Sequence, residues 1–159
     1  MSKKKRFLIT TEDENTWKFD CPVIFLGEWC RRYDRENIWK KLDFIDAKPY
    51  GIELVQQDID LNEVLNLEKK LFPEICDLLN EYHSIRLNAK SWQIFVGWIF
   101  RMLIVQLFNK IQTLRHCLDN YEISGTTSYR YNKFSITPNF FSEIQEDRIF
   151  APWKNNILD

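Results

Sequence analysis

The run Val23-Ile24-Phe25-Leu26, held between Pro22 and Gly27, constrains the fold more than any other stretch of this chain. Four apolar residues in a row leave no polar face. A strand formed there must be covered on both sides, as in a parallel α/β sheet. Gly27 stands where such a strand has to turn. Phe7-Leu8-Ile9, running into Thr10-Thr11, reads as a second strand, and Phe44-Ile45-Asp46-Ala47-Lys48, stopped by Pro49 and Gly51, as a third. Asp34 is a candidate N-cap for a short helix over 37–42. This order of elements fits an α/β layer better than a helical bundle.

The middle of the chain changes period. Leu61, Leu65, Phe72, Ile75, Leu79 and Tyr82 mark one face of a helix or helix pair, with Pro73 either kinking one helix or opening a second. A long helix is expected from Ser91 to Tyr121. Its first half, Trp92 to Phe108, is apolar nearly all round except for a narrow stripe of Gln93, Gly97 and Arg101. That run is at the short end of the ~17–25 residues a membrane span needs, and Arg101 at its centre would cost about 2.5–3.5 kcal/mol there. A buried helix is therefore expected, with no transmembrane segment. Glu122 to Thr127 resembles a last strand leading into a turn. The domain reading is an α/β domain over 1–127 with a helical insertion over about 55–121, followed by an irregular extension over 128–159 in which Phe150 and Trp153 are the candidates for docking.

Composition excludes several classes of function. A net charge of −1 gives no general attraction to nucleic acid or anionic lipid, and Lys3-Lys4-Lys5-Arg6 is the one basic cluster. Four Gly and five Pro in 159 residues, with 45% hydrophobic residues, argue for a packed chain rather than a disordered one. Cys21, Cys30, Cys76 and Cys117 are widely spaced and form no C-x-x-C pair, which suits free thiols in a reducing compartment. No G-x-G-x-x-G, Walker A, G-x-S-x-G or H-E-x-x-H pattern occurs. His83 and His116 are the only histidines, so no metal site is expected.

The densest candidate site is Gly27-Glu28-Trp29-Cys30-Arg31-Arg32-Tyr33, directly after the apolar strand, where open α/β sheets form ligand crevices. Gly27 permits a tight turn. Glu28 suits a general base or an acceptor for sugar hydroxyls, and Arg31 and Arg32 suit a bidentate grip on phosphate or carboxylate. The competing reading pairs Glu28 with Arg32 across one helical turn and buries Trp29 and Tyr33. Cys30 as a nucleophile lacks an identifiable base. Thr10, Thr11, Ser124, Thr126 and Thr127 end short apolar runs; on neighbouring strands they would line one rim, and otherwise they serve local turns.

Arg6-Phe7-Leu8-Ile9-Thr10-Thr11, Thr16-Trp17 and Pro22 to Cys30, with its Leu-Gly-Glu-Trp-Cys core, resemble the opening of a family of transferases. Such proteins are encoded in bacterial O-antigen and surface-polysaccharide regions. Residues 37–43, Pro49-Tyr50, 71–74, Leu79-Asn80, 91–94 and 119–127 continue the likeness in the same order. The resemblance implies a small, mostly parallel Rossmann-like sheet with a helical insertion, as in the N-terminal half of a two-domain glycosyltransferase. It also implies an acceptor-side fragment, inactive alone, whose partners are a C-terminal transferase domain and a glycan or lipid-linked glycan acceptor. No cofactor and no nucleic acid are implied. The expected location is cytoplasmic, with peripheral contact at the inner membrane. The alternative from another class is a standalone helical interaction module without catalytic activity.

Overall fold

The computed structural model describes residues 4–127; the extension expected over 128–159, with Phe150 and Trp153, lies outside the described residues. The apolar runs form β1 (Arg6–Ile9), β2 (Val23–Phe25) and β3 (Phe44–Asp46), joined by β4 (Ile123–Thr126) in one sheet of order β3-β2-β1-β4. Every pairing is parallel, so each connection must carry the chain back to the sheet's starting edge. From β1 to β2 it does so with one 3-10 turn, Glu14–Thr16. From β2 to β3 it uses the 3-10 turns Glu28–Cys30 and Tyr33–Arg35 and the short helix α1 (Glu36–Trp39). From β3 to β4 it takes in the long helices α2 (Leu54–His83) and α3 (Ala89–Asn120). The fold is α/β and Rossmann-like.

The chain divides into two compact units: one holds the sheet, up to Pro49 and again from Leu114, and the other spans Tyr50–Thr113. In the sheet unit Phe7, Leu8, Ile9, Val23, Ile24 and Phe25 are buried, as their unbroken apolar pattern demands. Each contributes about 1.5–3 kcal/mol relative to exposure. Cys117, Leu114 and Tyr121 pack on the same core, and burial pushes the Cys117 thiol up to about 11. A chain of edge-to-face rings, Trp17–Phe25 at 5.3 Å, Phe25–Phe44 at 5.6 Å and Trp39–Phe44 at 5.7 Å, extends that core.

In the helical unit α2 and α3 are antiparallel, because their contacts run in opposite order. Val64 packs with Ile104 and Phe108, Glu68 accepts from Nε and Nη2 of Arg101 at 2.7 and 3.0 Å, and Phe72 meets Phe100 at 5.5 Å. Pro73 lies inside α2 without ending it. Asn80 organises the turn between the helices. Its Nδ2 donates to the Leu87 carbonyl, while its Oδ1 accepts from the Leu87 N–H and the Trp92 Nε1, each at 2.9 Å. Ser84 ends α2 in the left-handed region at φ 54°, and Asn88 Oδ1 accepts from the Ser91 N–H to start α3.

Two expectations are corrected. The Trp92 to Phe108 run is a helix buried on one face only: Trp92, Ile104 and Phe108 are covered, whereas Ile94, Phe95 and Trp98 are 74%, 62% and 52% exposed. A helix apolar nearly all round has more apolar surface than one neighbouring helix can cover, and α3 is long and apolar enough to cross a membrane. Asp34 is not an N-cap. Arg35 precedes α1, and the Asp34 carboxylate is held by Arg32 at 2.8 and 3.1 Å, which lowers its pKa.

Asn80→Ala strands the Leu87 and Trp92 donors. It is expected to cost about 1–3 kcal/mol in urea unfolding, with Asn80→Asp in between because it keeps the acceptor oxygen.

Candidate functional site

In a parallel sheet all carboxyl ends lie along one edge, so the chain leaving β1, β2, β3 and β4 gathers there. In the order β3-β2-β1-β4, β1 is followed in sequence by its neighbour on one side and paired with β4 on the other. The edge between β1 and β4 is therefore the point where the strand order reverses, the usual place for a ligand crevice in open α/β sheets. Thr10-Thr11 leave β1 there, and Thr126 ends β4 with Thr127 just after it, Leu8 being in register with Thr126.

The hydroxyls at this edge are partly committed. Thr126 Oγ1 donates to the Leu8 carbonyl at 2.9 Å, stitching β4 to β1. Thr10 and Thr11 are buried. Thr11 Oγ1 meets Thr16 Oγ1 at 3.1 Å, and the Thr11 carbonyl accepts from Trp17 Nε1 at 3.0 Å. Thr127 is half-buried, and its side chain has no partner among the described residues. Ser124 is not at this edge. It is the extra residue of a bulge, since Arg6 pairs with Ile123 and Phe7 with Gly125, and it lies exposed toward the amino end of β4.

After β2, Gly27 is extended (φ −175°), and a Cβ on it would come within 2.2 Å of the Trp29 ring. Close approach of the indole, not a special dihedral, is what requires glycine there. Glu28 opens the following 3-10 turn. It is exposed, with no side-chain partner among the described residues, so the helical pairing of Glu28 with Arg32 does not form. Cys30 is completely buried, which closes its thiol to a substrate.

Arg31 is the most constrained of the candidates. Its Nη2 donates to Asp46 Oδ2 at 2.9 Å, and its guanidinium carbon sits 4.8 Å from the Trp39 ring, 5.2 Å from Phe44 and 5.4 Å from Phe25. Its Nε is buried without an acceptor among the described residues. This cation pins the β2 turn to the end of β3 from within an aromatic cage. Its Nη2 is committed to Asp46, and its Nε, being buried, faces no solvent from which an anion could reach it. Arg32 points its fork at Asp34 and its carbonyl at Trp39 Nε1.

The clamp that sequence reasoning missed is Arg35 with Glu14, bidentate at 2.8 Å on both oxygens. It ties the loop after β1 to the loop after β2. The signal was weak, because 21 residues separate two charged side chains in segments with no period. The hydrogen bonds from Arg35 hold the Glu14 carboxyl below the usual range. Among the described residues, no three His, Cys, Asp or Glu side chains gather to hold a metal ion.

Removing the Arg31 side chain empties the aromatic cage. Arg31→Ala is expected to lower stability by about 1–2 kcal/mol in denaturant unfolding, more than Arg32→Ala at its exposed pair. The Glu14–Arg35 clamp depends on an ionised carboxylate whose folded pKa is depressed. Its contribution is present above the ordinary carboxylate range and is lost as pH falls through the folded value. Hydrogen-exchange protection in residues 12–16, taken relative to the intrinsic rate at each pH, should fall on acidification below that range in the native chain, and already at neutral pH in Glu14→Gln.

Comparison with known proteins adds one match. The model of a family described as LIC12162 family transferase covers residues 6–156, continuing past Thr127, where the stretches of likeness in the sequence end. No curated protein and no solved structure matches the chain.

Proposed function

We propose, taking as premise that this chain belongs to the LIC12162 family of transferases, that its sheet unit is the acceptor side of a sugar transferase serving bacterial surface-polysaccharide assembly. The observation that carries the reading is the meeting of Thr10-Thr11 with Thr126-Thr127 where the strand order reverses, with the carboxylate of Glu28, unpartnered among the described residues, on the turn after the neighbouring strand β2. In glycosyl transfer an acceptor hydroxyl forms the new bond to the anomeric carbon while the bond to the phosphate leaving group breaks. The hydroxyl proton then needs an acceptor. Glu28 takes that role in this reading, and backbone groups at the β1 and β4 ends with Thr127 orient the acceptor hydroxyls.

The donor nucleotide is assigned elsewhere. A pyrophosphate is usually held where a Gly-rich turn lets the backbone approach and a helix N-terminus faces the anion. Here the first glycine of the chain is Gly27, and β1 is followed by a loop with one 3-10 turn, Glu14–Thr16. A further nucleotide-binding domain, on the order of 100–150 residues, is the proposed partner. The acceptor is a glycan or lipid-linked glycan, and the site of action is the cytoplasmic face of the inner membrane, reached by peripheral contact rather than by a span.

The second reading, a standalone interaction module, has its own support in the exposed Ile94, Phe95 and Trp98 of α3. Activity separates the two. The 159-residue chain alone should turn over no nucleotide sugar, and adding the donor domain should restore transfer. In that assembly Glu28→Gln should cut kcat at least ~100-fold, the lower end of what a general base contributes. Turnover by the chain alone, or full activity of Glu28→Gln, would overturn the assignment.

A further inference from the structure

The helical unit contains a cavity of about 450 Å³ that the sheet-edge chemistry does not use. That volume lies within the ~300–1,000 Å³ typical of small-molecule sites. It opens between the start of α2, the loop that precedes it and the C-terminal half of α3. Its apolar wall is Leu61, Val64, Val105 and Phe108, and its polar groups come from Gln57, Asp60, Asn109 and Thr113 with Tyr50.

The polar groups are arranged with one side held and one side open. Asp60 Oδ1 accepts from Tyr50 Oη and from Gln56 Nε2, both at 2.8 Å, and Gln56 Nε2 also donates to Tyr50 Oη at 3.0 Å. Asp60 Oδ2 accepts nothing among the described residues. Gln57 spends its Nε2 on the Gly51 carbonyl at 2.8 Å, leaving its Oε1 uncommitted, and Asn109 and Thr113 have no side-chain partner among the described residues. Gly51 itself sits at φ +73° with nothing near its missing Cβ, so the loop stays thin at the mouth. Burial, with the bond to Asp60, pushes the Tyr50 hydroxyl up to about 12, which keeps it a neutral donor at any physiological pH.

This set selects a ligand class. No Lys, Arg or His is among the described residues lining the cavity, and its one charge is a carboxylate, so phosphates and acids are repelled. One carboxylate is too few for a hard cation site. Unspent acceptors on Asp60 and Gln57, an amide that both donates and accepts, and a hydroxyl, all over an apolar wall, match a ring bearing several neutral hydroxyls. We infer that the cavity bounded by Tyr50, Asp60, Asn109 and Thr113 is a binding site for a neutral sugar ring.

The test uses the full chain and needs no transfer activity, so its outcome is independent of the sheet-edge assignment. Methyl β-glucoside, methyl β-galactoside and N-acetylglucosamine are titrated and followed by saturation-transfer NMR, with methyl phosphate, whose methyl protons report binding, as the charged control. At least one glycoside should saturate while methyl phosphate does not. Asn109→Ala and Thr113→Val should each weaken binding several-fold, and Asp60→Asn about tenfold, one hydrogen bond to a charged group being worth roughly that factor. Asp60→Asn also touches the Tyr50 network, so the two α3 variants, whose side chains have no hydrogen-bond partner among the described residues, are the deciding ones. Failure of all three sugars to saturate, or binding unchanged in both α3 variants, would overturn the inference.

Discussion

Everything in the sheet unit follows from the position of β1. It is paired on both sides, to β2 and to β4, with its three apolar side chains buried. A strand in that position has no edge to expose and must be covered on both faces. Because both pairings are parallel, the chain must make a long return to reach each neighbour. The return to β4 is where the two long helices are accommodated. The helical unit is thus an insertion into a small sheet, and the central strand makes the sheet indifferent to how long that insertion is, since loop closure grows only slowly in cost with length.

The same arrangement explains which parts of the molecule were legible in the sequence. Val23 to Leu26 and Phe7 to Ile9 announced themselves because complete burial leaves no polar residue in the run. The helical stretch announced itself by period. Asp34 misled because its side chain is as good at holding an arginine two residues back as at capping a helix, and nothing local distinguishes the two. The exposure of Ile94, Phe95 and Trp98 was illegible for a different reason: composition tells how much apolar surface a helix has, not how many neighbours it will meet. At the edge, adjacency of the Thr10 and Thr126 segments was readable as a condition on strand order, which only the pairing supplies. The cavity near Tyr50 was not readable at all, because residues 50–60 and 105–113 come together only once α2 and α3 are antiparallel.

Arg31 shows how one residue type serves two purposes that sequence cannot separate. A guanidinium near the end of a strand is the natural hand for an anion, and equally the natural key between aromatic rings. Here Asp46, Trp39, Phe44 and Phe25 surround it. The turn carrying Glu28 is therefore stiffened from below, and the Glu14–Arg35 clamp ties its loop to the one before it. A carboxylate meant to accept a proton gains from that rigidity, since misplacement by about an ångström can cost two orders of magnitude in rate.

The bulge at Ser124 bears on more than the position of one hydroxyl. β3 and β4 bound the sheet among the described residues, and an edge strand with regular, unpaired backbone is a template for another chain. Both edges here are unattractive as templates. β3 is three residues long and ends in a charged aspartate, and β4 is broken by its extra residue and by Gly125. Among the described residues, the sheet keeps its two most apolar strands in the interior and offers only short or irregular ones at its edges, so it presents little on which a second copy could add a strand.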